Sequence, residues 1–189
     1  MSHSKIILAS ASPRRKELLA GLGFRFEVIP SNVEEIYPTE LALDQVPEFL
    51  AKLKADSLSK AYPNHTIISA DTVVILENEI LGKPSDEEDA KQMLRKLSGK
   101  KHEVVTGVCI IENGILHSFS DSTYVYFKEL TDTEIAHYVH QFKPMDKAGS
   151  YGVQEWIGYV AVEKIEGSFY NVMGLPVNKV YSILTQHRQ

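Results

Sequence analysis

The run Thr66–Leu76, Thr-Ile-Ile-Ser-Ala-Asp-Thr-Val-Val-Ile-Leu, constrains this chain more than any other segment. Its β-branched and apolar composition suits a strand buried within a sheet. A single charged residue interrupts it, Asp71 in Ala70-Asp71-Thr72. A carboxylate among Ile and Val loses its water at a cost unless it faces a cleft, a cation or a metal ion. The plainer alternative is a carboxylate at a strand end that caps a loop.

Around this strand the periodicity alternates between helix and strand. Lys5–Ala9 reads as a short apolar strand, followed by a turn and a helix over Pro13–Leu22 that Gly23 ends. Phe26–Pro30 is a second strand, and Pro47–Ala61 a helix with Phe49, Leu50 and Leu53 on one face. Beyond the central strand, Glu77-Asn78-Glu79 turns the chain towards Ile80 and Leu81. Ser85 and Glu88 then have the spacing of a capping box for a helix bearing Met93, Leu94 and Leu97, stopped by Gly99.

Glu103–Glu112, the Asn113-Gly114 turn and Ile115–Lys128 predict a hairpin, since Asn-Gly readily adopts a type I′ turn. Thr131 and Glu134 form a second capping box, with Leu130 and Ile135 as its hydrophobic staple, for a helix ending near Phe142. Tyr159–Ile165 and Phe169–Met173 read as two strands split at Gly167. Pro176 opens a last helix with Val177, Val180, Tyr181 and Leu184 inward. The mixture implies an α/β fold with a mixed sheet flanked by helices. One domain over residues 1–189 is expected, with a twisted sheet able to form two lobes around a cleft.

The chain has 189 residues, 43% of them apolar, enough for a domain that buries roughly 70% of its unfolded surface. No basic-led apolar run opens it, and its apolar stretches fall short of the roughly 20 residues that span a bilayer. A cytoplasmic protein without a membrane partner is expected. Cys109 is the only cysteine, so an intrachain disulfide is excluded. The formal charge of −5 argues against a nucleic-acid polymer as partner. Phosphate binding, if present, is local and made by a few converging cations.

Such cations stand at the junction of the first strand and helix, in Ser10-Ala11-Ser12-Pro13-Arg14-Arg15. A helix start presents unpaired N–H groups, so two hydroxyls and two guanidinium groups there suit a phosphate chain. Ser12 as a simple cap with surface arginines remains the alternative. Glu34 and Glu35, Lys54 on the second helix and Lys83 in Leu81-Gly82-Lys83-Pro84 add further charge. Carboxylates ligate hard cations and lysines meet phosphate oxygens, although each residue taken singly also reads as solvated surface. Dinucleotide, P-loop and nucleophile-elbow motifs are absent.

Four ordered segments resemble the Maf family: Ser10–Arg15 with Leu18-Leu19; Ala70–Val74 with Gly82-Lys83-Pro84; Met93-Leu94 with Leu97-Ser98-Gly99 and His102; and Asp146–Gln154 with Gly174-Leu175-Pro176. The resemblance covers about residues 5 to 185. It implies nucleoside triphosphate pyrophosphatases with an elongated, two-lobed α/β fold of the Maf and ITPase kind, a deep cleft and dependence on Mg²⁺ or Mn²⁺. Many members are homodimers, and some are linked to restraint of cell division.

Carried over by motif, the resemblance implies Asp71 as catalytic base, with Glu35 and Asp71 towards the metal. Ser10, Arg14, Arg15, Lys54 and Lys83 fall at the phosphates. Arg14, Thr72 and Gln154 fall at the positions that set specificity, where they agree with the dTTP/UTP branch. A glutamine amide can bond N3–H and O4 of thymine or uracil together. A pyrophosphatase for modified purine nucleotides such as 7-methyl-GTP is the alternative enzyme, and a nucleotide-binding division regulator the alternative of another class. One departure is Glu155-Trp156-Ile157, where the family commonly continues with glycines, and it is expected to reshape the nucleoside end of the cleft.

Overall fold

The computed structural model describes residues 5–186. Strand β1 (Lys5–Leu8) leads to helix α1 (Pro13–Gly21), whose cap Ser12 accepts the Arg15 N–H at 3.5 Å. Pro13 sits in the first turn, where its missing N–H costs nothing, and Gly23 at φ +81° carries the chain out of the helix. Strand β2 (Phe26–Val28) pairs parallel with β1, and helix α2 (Val46–Ser59) returns the chain to β3 (His65–Leu76). β3 is parallel to β1, in register from Lys5 opposite His65 to Leu8 opposite Ile68.

Strand β4 (Glu79–Leu81) folds back antiparallel on β3, and helix α3 (Glu87–Leu97) follows. Strands β5 (Lys101–Glu112) and β6 (Ile115–Phe127) are joined through Asn113 and Gly114 at φ 51° and 78°, the positive angles expected of this turn. Next come helix α4 (Asp132–Phe142), a 3-10 turn at Ala148–Ser150, helix α5 (Trp156–Ala161), strand β7 (Val162–Glu166) and helices α6 (Phe169–Met173) and α7 (Val177–Gln186). The seven strands form one mixed sheet in the order β2-β1-β3-β5-β6-β7, with β4 on β3.

Several expectations need correction. The capping box at Ser85 and Glu88 does not form. Asp86, an equally good cap, accepts the Asp89 N–H at 2.8 Å, while the Asp89 carboxylate receives the Ser85 N–H at 2.9 Å. The pair is not reciprocal: Asp86 caps the helix, and the Asp89 carboxylate ties back the residue before the cap. The expected strand over Tyr159–Ile165 is half helix, α5 giving way to β7 at Val162.

Phe169–Met173 is helical as well, because the Asn171 amide is drawn inward to the Val104 carbonyl at 3.1 Å and Thr123 Oγ1 at 3.0 Å. On α7, Val180 and Leu184 are buried but Tyr181 is exposed. On α2 the buried face is Val46, Pro47, Leu50, Ala51, Lys54 and Ala55, displaced from the one expected. Thr131 and Glu134 do form their box, with the Glu134 carboxylate accepting the Thr131 N–H at 2.8 Å.

The chain resolves into two compact units. Of the described residues, the first comprises 5–71, 106–121 and 174–186; the second comprises 72–105 and 122–173. Ile7, Ala9, Ala51, Ala55, Ile67, Cys109 and Ile111 pack together in the first. In the second, Leu94, Leu97, Val125, Phe127, Ile135, Tyr138 and Ile157 belong to a larger apolar cluster.

One contact in the first unit sets the seat of α2. A Cβ at Gly107 would lie 2.1 Å from the Glu48 nitrogen and 2.2 Å from the Pro47 carbonyl carbon, so helix backbone rests directly on the strand. Ser69 Oγ adds a hydrogen bond of 2.6 Å to the Ala51 carbonyl.

Candidate active site

Side chains two apart on a strand share a face, so Asp71 points the same way as Ser69. Ser69 reaches Ala51 of α2, and one helical turn further on Lys54 meets Asp71. The Lys54 ammonium lies 2.5 Å from Asp71 Oδ1 and 2.8 Å from Glu35 Oε1. Lys54 and Asp71 are each only 8% exposed, whereas half of the Glu35 side chain is open to solvent. One cation thus joins two carboxylates from separate segments. Desolvating Asp71 is offset by this charge-assisted pairing, which answers the question raised by a carboxylate in an apolar strand.

At the β1–α1 junction, the Arg15 guanidinium donates from Nη1 to Ser10 Oγ at 3.2 Å and from Nε to the Gly174 carbonyl at 2.9 Å. Ser10 Oγ also accepts the Ser12 N–H at 3.3 Å. Burial pushes the Arg15 guanidinium below its ordinary value. Asp71 pulls it back up, Arg14 adds to the lowering, and Glu35 opposes it. Arg15 therefore lies within the electrostatic reach of all three, in a unit that also holds Ser10 and Lys54. An arginine stays cationic at neutral pH despite such a shift.

The donor set for a metal ion is small. Among the described residues no group of three His, Cys, Asp or Glu side chains converges for one. Glu35 and Asp71, sharing one ammonium, do converge. Two carboxylates fit a hard divalent cation of the Mg²⁺ type, which keeps water and takes further oxygens from substrate phosphates.

Thr72, Lys83 and Gln154 belong to the second unit, where Lys83 is exposed and Gln154 half-buried. Gln154 lies in a tight turn closed by the Glu155 N–H on the Gly152 carbonyl at 2.9 Å. Its Oε1 is buried without a hydrogen-bond partner. Such orphaned acceptors are uncommon in folded proteins and call for an explanation.

Glu155, expected to reshape the nucleoside end, is held by two side chains of the second unit. Its carboxylate accepts the Tyr138 hydroxyl through Oε2 and meets the Lys147 ammonium at 3.1 Å through Oε1. Trp156 packs edge-on against the His137 ring, with centroids 4.8 Å apart. Lys147, Tyr138 and the Gly174 carbonyl had no assigned role in the sequence. Lys147 is only 7% exposed, and a lysine lodged between Asp146 and Ala148-Gly149-Ser150 gives no local sign of that burial.

A family model described as Maf-like protein matches residues 5–187. The chain is 54% identical over 183 residues to a dTTP/UTP pyrophosphatase of Phocaeicola vulgatus, covering 95% of this chain and 94% of that one. It is 52% identical over 185 residues to a dTTP/UTP pyrophosphatase of Porphyromonas gingivalis, covering 95% and 92%. Among solved structures, the Staphylococcus aureus Ham1 protein aligns with a TM-score of 0.57 at 17% identity, over 96% of this chain and 98% of that one, a likeness of fold. No helix among the described residues is long and apolar enough to cross a membrane. With one family model spanning nearly the whole sequence and relatives above half identity along nearly their full lengths, the chain belongs to the Maf-like family.

Proposed function

We propose that this protein is a nucleoside triphosphate pyrophosphatase that hydrolyses dTTP and UTP to dTMP or UMP and pyrophosphate, acting on the free nucleotides of the cytoplasm. The observation that carries the reading is the Lys54 ammonium held between Glu35 and Asp71, in the unit that also contains the Arg15–Ser10 pair. That set combines cations for a phosphate chain with carboxylates for a metal ion and for a proton. The dTTP/UTP pyrophosphatase activity named for relatives at 54% and 52% identity supports the choice of nucleobase.

In this reading Asp71 takes a proton from water as the water oxygen attacks the α-phosphorus. The new P–O bond forms as the bond to the oxygen bridging the α- and β-phosphorus breaks, and pyrophosphate leaves with that electron pair. Ser10, Arg14, Arg15, Lys54 and Lys83 bind phosphate oxygens and offset the charge that develops on the leaving group. Mg²⁺ or Mn²⁺, held by Glu35 and Asp71, would supply Lewis-acid neutralisation of the phosphates. For Asp71 to serve, Lys54 must give up part of its hold on the carboxylate, and a phosphate oxygen is the natural new partner for the ammonium.

Base selection is assigned to Thr72 and Gln154. The orphaned Gln154 Oε1 is an acceptor suited to N3–H of thymine or uracil, with the amide nitrogen free to donate to O4. Values of kcat/KM for dTTP, UTP, CTP, GTP and 7-methyl-GTP, with Mg²⁺ or Mn²⁺ and with products identified, test the reading. The two thymine and uracil nucleotides should lead. A preference for either guanine nucleotide overturns the base assignment, and release of orthophosphate in place of pyrophosphate overturns the reaction itself.

A further inference from the structure

Gln154 occupies the third position of the four-residue turn Gly152–Glu155, and both ends of this turn are tied to one phenol. The Tyr138 hydroxyl accepts the Gly152 N–H at 3.0 Å and donates to Glu155 Oε2. Tyr138 is fully buried, and burial, followed by the nearby Glu155 carboxylate, pushes its phenol well above the ordinary range. It therefore keeps its proton and acts as a donor to Glu155 throughout the working range of pH. Lys147 holds the other carboxylate oxygen at 3.1 Å and is itself anchored to Asp146 Oδ1 at 2.8 Å.

The packing around Gly152 shows how far this brace reaches. A Cβ on Gly152 would stand 2.9 Å from the Glu155 carboxyl carbon and 3.2 Å from Gln154 Nε2, so both side chains lie over the same bare Cα. On the far side, a Cβ on Gly158 would meet the Val153 carbonyl oxygen at 1.8 Å, which seats α5 hard against the turn. Opening the Tyr138–Glu155–Lys147 bonds would release the turn from this brace.

A glutamine amide turned over presents donors where its acceptor stood and would read cytosine instead of thymine or uracil. Discrimination between these bases therefore requires something to hold the amide in one direction. We propose that Glu155, braced by Tyr138 and Lys147, is a positioning residue that sets the direction of the Gln154 amide and with it the selectivity for dTTP and UTP over CTP. The inference rests on the proposed role of Gln154 in base selection. It also assigns a function to the Glu155 departure that is distinct from contact with the nucleoside.

The experiment is a double-mutant cycle read as the ratio of kcat/KM for dTTP to that for CTP. Glu155→Ala and Tyr138→Phe should each lower the ratio on the order of tenfold, the scale of one misdirected hydrogen bond, mainly through a higher KM for dTTP. Glu155→Gln keeps an acceptor for Tyr138 and should recover much of the ratio. In a Gln154→Ala background, Glu155→Ala should leave the ratio unchanged, a coupling that general destabilisation would not produce.

Melting temperatures identify variants that fail to fold. If Glu155→Ala is among them, Tyr138→Phe and Glu155→Gln carry the cycle. A wild-type protein that fails to discriminate dTTP from CTP overturns the Gln154 reading and this inference with it. A selective wild type whose folded variants keep the full ratio, or lose it equally without Gln154, overturns this inference alone.

Discussion

The charged cluster of the first unit and the Gly152–Glu155 turn of the second solve opposite problems. In the cluster, polar side chains gathered from distant parts of the chain have found partners: Lys54 with Glu35 and Asp71, and Arg15 with Ser10 and Gly174. In the turn, the supporting groups are paired but the Gln154 acceptor at its corner has no partner. A cluster that satisfies itself can exchange partners with any triphosphate, since phosphate oxygens are alike in all nucleotides. An acceptor left unmatched is satisfied only by a ligand that brings the right donor. In the proposed function, generality and selectivity thus correspond to paired and unpaired polarity.

The largest expected effect separates chemistry from binding within the cluster. Asp71→Asn keeps the shape and removes the base, so turnover should fall on the order of 10² to 10⁴-fold while nucleotide binding persists. Monophosphate formation within about threefold of wild type would remove Asp71 from that role. The same variant tests the division-regulator alternative, in which nucleotide binding suffices and hydrolysis is incidental.

The next effect belongs to the second unit. His102 is buried, with Nε2 2.7 Å from the Tyr151 hydroxyl, beside the turn. Burial pushes it down to about 4, against a smaller upward pull from the Lys100 backbone. Its folded value lies below the ordinary 6.5, so the unfolded chain binds more protons between these limits. Stability should therefore fall as pH drops from 6.5 towards 4, by on the order of 2–3 kcal/mol. Urea unfolding at both ends of this window, for wild type and His102→Asn, provides the measurement. An equal pH slope in the two proteins would show that the proton is taken up elsewhere.

Arg15→Ala comes third. The guanidinium's bonds to Ser10 and Gly174 are structural as well as charged, so this variant should lose about 1–2 kcal/mol of stability together with catalysis. Full kinetics with full stability would return Arg15 to the solvated surface.

The smallest effect concerns the metal ion. If Lys54 competes for Glu35 and Asp71, Lys54→Met should bind Mn²⁺ in the absence of nucleotide about tenfold more tightly than wild type. Electron paramagnetic resonance of free Mn²⁺ reads this directly. Equal or weaker affinity would mean that the carboxylate pair is already open to metal.

Legibility in the sequence followed the range of the forces involved. Ser12, Pro13 and Gly23 around α1, the Asn113-Gly114 turn and the Thr131–Glu134 box act within a few residues, so spacing reveals them. Phe169–Met173 is helical and not the expected strand, and the contacts that hold Asn171, to Val104 and Thr123, are both remote in sequence. In the candidate site, Asp71 stood out because burial makes a charge costly. Its partnership with Lys54 did not, for it depends on how α2 lies on the sheet. Likewise, nothing near Glu155 signals that Tyr138 and Lys147 engage it.

The bare Cα of Gly107 bears on that partnership. Helices usually rest on sheets through a cushion of side chains, and each methyl gained or lost over generations moves the helix a little. Here strand meets helix backbone to backbone, and the spacing has the fixity of a caliper. Lys54 lies about two turns beyond this contact, so its reach to Asp71 is insulated from drift in the surrounding core. Ile67, Cys109 and Ile111 fill the space around the helix, while residue 107 itself has almost no latitude.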